Sequence, residues 1–235
     1  MPSKLLRRFA TFFRQNFLGG LIPEGERGLK LIGHRNYVGG MWDKIGTLQF
    51  EFLKSQGLRP ADVLLDIGCG ALRGGVHYIH YLDSGNYIGF DKERAVVSLG
   101  LLHEVSEGLI ETKHPSFVIS ESFDFSELPQ VPTYSIAVSL FTHLTLEDIS
   151  KCLNNLRQAV HPGHCCFATF FEGSSFSNPS TSHSLDHFQY SKKQINDAVD
   201  QAQWRTTYIG DWGHPRAQVM YRFDAISPHE HSRNA

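Results

Sequence analysis

Two acids and two glycines carry the clearest chemistry in this sequence. Leu64-Leu65-Asp66-Ile67-Gly68-Cys69-Gly70 is an apolar run that ends in a turn almost without side chains. Gly68 and Gly70 let the backbone bend sharply and come within contact of a ligand, where a Cβ would collide. Tyr87-Ile88-Gly89-Phe90-Asp91 is a second apolar run ending in a second acid. Asp91 follows Asp66 at a separation on the order of twenty residues, which suits a carboxylate accepting hydrogen bonds from the vicinal hydroxyls of a nucleoside ribose. Two glycines after a strand would equally suit a nicotinamide dinucleotide, or a tight turn with no ligand at all. Asp66 separates these alternatives. A carboxylate beside the turn repels a diphosphate and attracts a ligand that carries an ammonium and a sulfonium.

Such a turn works only at the end of a buried parallel strand, and the rest of the chain supplies the sheet. The 235 residues, 41% hydrophobic and 20% charged, fit one globular α/β domain with room for a small cap. Apolar runs predict strands over 63–66, 87–91, 117–120, 134–140, 165–171, 205–210 and 217–223. Helical periodicity covers 41–55, 73–81, 92–107 (closed by Gly108), 146–160 and 191–201. The last two strands are separated by a loop too short for a helical crossover, so they should pair antiparallel. The expected fold is therefore α/β: a Rossmann-like, doubly wound, mostly parallel seven-stranded sheet with an antiparallel last strand. The domain spans 37–226. Residues 1–36 form an amphipathic helix and a linker, and 227–235 form a loose tail. In the helix, 4–18, Leu5, Leu6, Phe9, Phe12, Phe13 and Phe17 share one side, opposite Lys4, Arg7, Arg8, Arg14 and Gln15. Such a face either makes peripheral contact with an anionic membrane or docks on the domain or a second subunit.

Leu64–Gly70 followed by Tyr87–Asp91 resembles the first two motifs of the class I S-adenosylmethionine (SAM)-dependent methyltransferases, and the likeness in strand order extends over 37–223. The resemblance implies SAM as cofactor. Asp66, Gly68 and Gly70 then line its methionine part with Cys69 between them, and Asp91 binds the ribose hydroxyls with Lys92 beside it. Many members of the family place a third glycine where this chain has Leu72. The run Ala71-Leu72-Arg73-Gly74-Gly75 resembles instead a bacterial subgroup with a GCG-x-x-R-G-G turn. There Arg73 either meets the SAM carboxylate or pairs with an acid at a helix start. Glu121, Ser122 and Phe123, after the third strand, stand where the family keeps a group for the adenine. Ser139 and Phe141, after the fourth, stand beside the methyl group. Upstream, Tyr37 is a candidate to fold over the methionine end, while Trp42 reads better as core.

Methyl transfer needs in-line approach of a nucleophile, and a base only where the acceptor must lose a proton. His143, Glu172 and His214 fall at the sheet edge that the cofactor would occupy and are the candidate bases; His143 also reads as a structural histidine. The formal net charge of -2 argues against nucleic acid as partner, and the amphipathic helix favours a small-molecule, glycan or lipid-linked acceptor. The oligomeric state is not written in the sequence. Thirteen histidines raise the question of metal. His183 and His187 have the spacing of a zinc helix without its glutamate, and His161, His164, Cys165 and Cys166 would alternate along one strand and fail to converge, so no metal is expected. Cys69, Cys152, Cys165 and Cys166 do not form a disulfide pattern, and no apolar run reaches membrane-spanning length, which together suggest the cytoplasm, with contact at the inner membrane face if the helix binds lipid. The rivals are a nicotinamide-dependent oxidoreductase and a non-catalytic scaffold of the same fold. Asp66 and the terminal hairpin speak against the first, and the intact acids and glycines against the second.

Overall fold

The computed structural model describes residues 22–173 and 177–226. The helix expected over 4–18 and the tail 227–235 lie outside them. Eight strands alternate with helices: β1 (Leu64–Ile67), β2 (Tyr87–Asp91), β3 (Ser116–Ile119), β4 (Tyr134–Ala137), β5 (Cys165–Glu172), β6 (Gln189–Tyr190), β7 (Trp204–Asp211) and β8 (Val219–Ala225). The helices are α1 (Glu26–Ile32), α2 (His34–Tyr37), α3 (Trp42–Ser55), α4 (Gly75–Tyr81), α5 (Arg94–Glu104), α6 (Glu107–Lys113), α7 (Leu146–Ala159) and α8 (Lys192–Gln201).

The sheet runs β3-β2-β1-β4-β5-β8-β7. β1 to β5 are parallel, and β8 enters between β5 and β7 antiparallel to both. Strand order reverses beside β1: the chain builds outward through β2 and β3, then returns to lay β4 on the other flank. Ligands of doubly wound sheets bind at this reversal, beyond the carboxyl ends of the strands. Because β8 runs the opposite way, β7 is parallel to β5. The loop between β7 and β8 therefore opens at the same edge as the turn after β1.

All four residues of β1 are buried, as a parallel strand covered by helices on both faces must be. Its alternation divides the core. Leu65 and Ile67 pack with Ile149, Leu153 and Leu156 of α7 and Ile195 and Val199 of α8. Leu64 packs on the other face with Ile45 and Leu53 of α3, Tyr78 and Ile79 of α4 and Val96 and Val97 of α5. Asp66 shares the parity of Leu64, and Tyr87 from that second face reaches it.

The structure corrects several boundaries. The expected linker carries α1 and α2. The helix expected over 92–107 is two helices: Val105 is extended, and the Ser106 side chain caps α6 by accepting from Leu109 N, so Gly108 lies inside a helix rather than closing one. The fourth strand stops at Ala137, ahead of Ser139 with its φ of 60°. The helix expected from Arg73 begins at Gly75, after Leu72 with a φ of 68°. A short strand that the sequence did not announce, β6, pairs in parallel with the end of β5 at Phe171 and Glu172. None of the described helices is long and apolar enough to cross a membrane.

Candidate active site

The turn after β1 is tied to β2 by its own backbone. Gly68 N and Cys69 N both donate to Phe90 O, at 2.7 and 3.1 Å. Gly70 N donates to Asp91 Oδ2 at 2.8 Å, and Glu93 N donates to the other oxygen at 2.9 Å. Gly68 and Gly70 have φ of 72° and 53°, the left-handed region that their lack of a Cβ allows. A Cβ on Gly70 would stand 2.9 Å from Val38 Cγ1, so the bare turn also admits the segment after α2.

Above this turn opens a cavity of about 430 Å³, within the usual size range of ligand sites. Asp66, Gly68, Cys69, Gly70 and Arg73 from the turn, Asp91 and Lys92 from the end of β2, Tyr37, Phe123, Ser139 and His143 all line it. Asp66 is only 6% exposed and accepts one hydrogen bond, from Tyr87 Oη at 2.9 Å. Burial pushes its carboxyl up to about 7; the Tyr87 bond opposes the shift, as does the charge of Arg73, while Asp91 adds to it. Asp91 is likewise pushed up by burial, against the pull of its two backbone donors. The Cys69 thiol, buried beside both acids, is raised well above its ordinary value and stays protonated.

Arg73 is buried but meets no acid directly. Nη1 donates to Val38 O and Gly40 O, both at 3.0 Å, while Nε is buried without a partner, and burial draws the guanidinium down to about 10. Neither expectation for Arg73 covers these contacts, which anchor the backbone after α2 over the turn. Tyr37 is similarly committed at its tip: the hydroxyl donates to both oxygens of Glu93, at 3.0 and 3.1 Å, and accepts from Gly25 N at 2.8 Å. Lys92 Nζ lies 3.5 Å from Glu24 Oε1, which also accepts from Ser184 N at 2.6 Å. These bonds draw the segment before α1 and the loop before β6 together over the cavity.

The wall also carries Ser139, Leu140, His143, Ser182, His187 and Arg216. Ser139 N donates to Thr169 Oγ1 at 2.7 Å and its hydroxyl donates to Gln218 Oε1 at 3.1 Å. His143 Nδ1 lies 2.5 Å from Asp186 O. A carbonyl can only accept, so Nδ1 carries the proton and Nε2 the lone pair. Burial first, then the neighbouring His187, drives His143 down to about 3, which keeps it neutral.

Four expected site residues do not line the cavity. Phe141 points into the core, fully buried, with its ring 5.5 Å from that of Phe170. Ser122 is exposed behind Ser120, which with Glu121 takes the place at the cavity wall. Glu172 is tied up on the far strands, accepting from Tyr221 Oη at 2.6 Å and Tyr208 Oη at 3.1 Å. His214 is buried, stacked on Trp212 with 5.4 Å between centroids, and held down to about 3 by burial and the charges of Arg73 and Arg216. The sequence reading in turn missed Glu93, His187 and Arg216 as wall residues. His187 left a trace in its spacing from His183, and Arg216 as the end of the loop between the two strands that must pair antiparallel.

No known family model matches the chain. Solved structures do. The magnesium protoporphyrin IX methyltransferase of Synechocystis PCC 6803 with bound SAM is 14% identical, covering 92% of this chain and 97% of that one, with a TM-score of 0.59. The human N-acetylserotonin methyltransferase in complex with SAM is 13% identical, covering 97% of this chain and 61% of that one, with a TM-score of 0.56. The glycopeptide N-methyltransferase MtfA complexed with S-adenosyl-L-homocysteine is 10% identical, covering 76% of this chain and 89% of that one, with a TM-score of 0.58. The fold is that of the SAM-dependent methyltransferases. In a sheet wound this way the turn after β1 and the end of β2 form the ligand edge, and there the cavity lies.

Proposed function

We propose that this protein transfers a methyl group from SAM to a small-molecule, glycan or lipid-linked acceptor. The observation that carries the proposal is the buried Asp66 carboxyl beside Gly68 and Gly70, raised by burial and lacking an ion pair among the described residues. A cationic ligand relieves that position and a diphosphate aggravates it. Arg73, with Nε buried and unpartnered, fits the cofactor's carboxylate. Asp91 fits the ribose, and Phe123 with Ser120 and Glu121 the base. This assignment agrees with the resemblance of the turn to the GCG-x-x-R-G-G subgroup.

Bound there, SAM supplies a methyl group on a sulfonium, whose C–S electrons return to sulfur as the acceptor's lone pair forms the new bond. The chain's own contribution is alignment, which for well-oriented reactants supplies up to about 7–11 kcal/mol. His143 holds its Nδ1 proton against Asp186 O and offers Nε2 to an acceptor O–H or N–H. As a neutral acceptor it orients that group, and once the incoming methyl has left a positive charge on an acceptor oxygen, the oxonium proton is acidic enough to pass to Nε2. Glu172 and His214 are not given this task, since neither lines the cavity.

Calorimetric titration of the full chain with SAM, with its demethylated product S-adenosylhomocysteine (SAH) and with NAD tests the proposal. Binding of SAM and SAH without NAD is expected. Binding of NAD alone would establish the oxidoreductase instead, and silence toward all three would leave a scaffold.

A further inference from the structure

Arg216 is a cation set into the cavity wall without a counter-charge. The β7–β8 loop brings it to the ligand edge, where Arg216 N donates to His214 Nδ1 at 3.3 Å and one terminal nitrogen donates to Gly39 O. The fit against Gly39 is close: a Cβ there would stand 2.7 Å from Arg216 Nη1. Nε is buried with no partner, and among the described residues Arg216 makes no ion pair. The segments outside them hold one acidic side chain, Glu230. A guanidinium drawn partly out of water without an anion is left short of solvation, a deficit that a charged ligand makes good on arrival. The neighbourhood offers no relief: burial draws Arg216 down, and its charge in turn depresses His143, His187 and His214.

Arg73 and Arg216 hold the same stretch of wall, Arg73 through Val38 O and Gly40 O and Arg216 through Gly39 O between them, and the charge of Arg216 adds to burial in drawing Arg73 down. Asp66 responds to the charge of Arg73, whereas His143 and His187 respond to that of Arg216. The cofactor's single carboxylate offsets one of these two neighbouring cations, and Arg73 at the turn after β1 takes it. Arg216, the one of the pair whose charge bears on His143 and His187, is left for a second anion.

Resting on the methyl-transfer reading, we infer that Arg216 is the subsite for a carboxylate or phosphate carried by the methyl acceptor, holding that group so that the reacting O–H or N–H lies at His143. The guanidinium fork pairs with the planar or tetrahedral oxyanion through two parallel hydrogen bonds, a geometry that a lysine ammonium does not reproduce. A neutral acceptor of the same shape leaves the guanidinium unpaired and is rejected.

The test titrates inorganic phosphate, 4-hydroxybenzoate and the neutral 4-hydroxybenzamide, at constant ionic strength, into the full chain saturated with SAH. Both anions are expected to bind, with the benzoate at least about tenfold tighter than the amide. Arg216→Gln should weaken the anions by about tenfold or more, and Arg216→Lys by less, with the SAH dissociation constant within about twofold of the parent in both. Arg216→Lys also serves if the glutamine variant does not fold. Equal binding of benzoate and amide, or anion binding unchanged in the variants, overturns the inference. A loss of SAH affinity matching the loss for the anions also overturns it, by assigning Arg216 to the cofactor's own carboxylate. If SAH does not bind the parent chain, the methyl-transfer reading fails. Phosphate titrated into the ligand-free parent and variants then decides on the anion subsite by the same comparison.

Discussion

At the end of the cavity built by β1 and β2 two carboxylates face inward beside the cations Arg73 and Lys92. Asp66 and Asp91 are carried by sheet residues and fixed by Tyr87 Oη, Gly70 N and Glu93 N. The loops contribute a cation and imidazoles instead: Arg216, His143 and His187, fixed by backbone carbonyls or by nothing. Asp148, which also lines the cavity, is occupied by Ser182 Oγ and Thr145 Oγ1 as the first turn of α7 is capped. The contrast teaches where each half gets its specificity. The sheet end holds buried charge that suits a cationic nucleoside and cannot easily move. The loops hold a cation and neutral imidazoles on segments free to differ without disturbing the sheet, which is how one scaffold serves many acceptors.

The sharpest way to break the contrast is Asp66→Asn. If Asp66 is the counter-charge for SAM, the variant should lose about 3 kcal/mol of SAM affinity, on the order of 100-fold by calorimetry. The same substitution should stabilise the ligand-free chain. The carboxyl sits at about 7 in the folded protein, above its value of 3.8 in an unfolded chain. The folded state therefore holds the proton more tightly, and stability from this group is present at low pH and lost as pH rises from about 4 to about 7. Asparagine mimics the protonated form and escapes the loss. Denaturant titrations at pH 8 should show the ligand-free variant more stable than the parent by about 1–3 kcal/mol, and at pH 4 no gain. A variant that binds SAM normally would mean the sheet end is not acidic for the ligand's sake.

Asp91→Ala comes next, with an expected loss of about 1–3 kcal/mol in SAM affinity as the ribose hydroxyls go unpaired. Because Asp91 also accepts from Gly70 N and Glu93 N, the alanine variant loosens the turn as well. Asp91→Asn separates the two effects. It keeps an oxygen for one backbone donor, so a binding loss equal to that of alanine would place the main role of Asp91 in ribose contact rather than in shaping the turn. An unchanged SAM dissociation constant in both would remove Asp91 from the site.

A milder probe leaves the sequence intact. With the Asp66 carboxyl at about 7 in the ligand-free protein, binding a cation beside it expels the proton. SAM affinity should therefore fall as pH drops below 7, approaching about tenfold per unit, and hold level above 7 until the ligand's own amino group titrates at about 8. Asp66→Asn should flatten the profile below 7. A parent profile that is already flat there would show that the ligand's charge does not reach Asp66.

The sheet end and the loops also differ in how far the sequence disclosed them. The sheet end was legible because its determinants are local: Asp66, Gly68, Gly70 and Asp91 lie within two strand ends, and parallel pairing of β1 with β2 brings them together without help from distant chain. The loops needed the strand order. Arg216 reaches Gly39 across most of the chain only because β8 enters between β5 and β7 and turns their loop to the ligand edge. His187 arrives through β6, two residues too short to stand out from their surroundings. Phe141 misled for the opposite reason. Its place in the chain, just after β4, was correctly near the site, but the 3₁₀ turn at Phe141–His143 sends Phe141 into the core and His143 to the cavity. Helix ends were lost where a cap outweighed a glycine, as Ser106 does before Gly108.

Leu72 joins the two lessons, since a departure visible in the sequence is answered by the backbone. The turn after β1 takes it to a φ of 68°, where its family resemblance would put a glycine, and it is fully buried against the helices of that face. Left-handed backbone costs a residue with a Cβ roughly 1–2 kcal/mol, and glycine avoids that cost. Truncating a buried leucine to alanine costs about 2–5 kcal/mol while keeping the strain. Leu72→Gly loses the same packing and releases the strain, so it should be less destabilising than Leu72→Ala by about 1 kcal/mol, reversing the usual order of the two residues. Denaturant midpoints of the two variants measure the difference. An alanine variant at least as stable as the glycine variant would show that the sheet end of the cavity is not held under backbone strain at this turn.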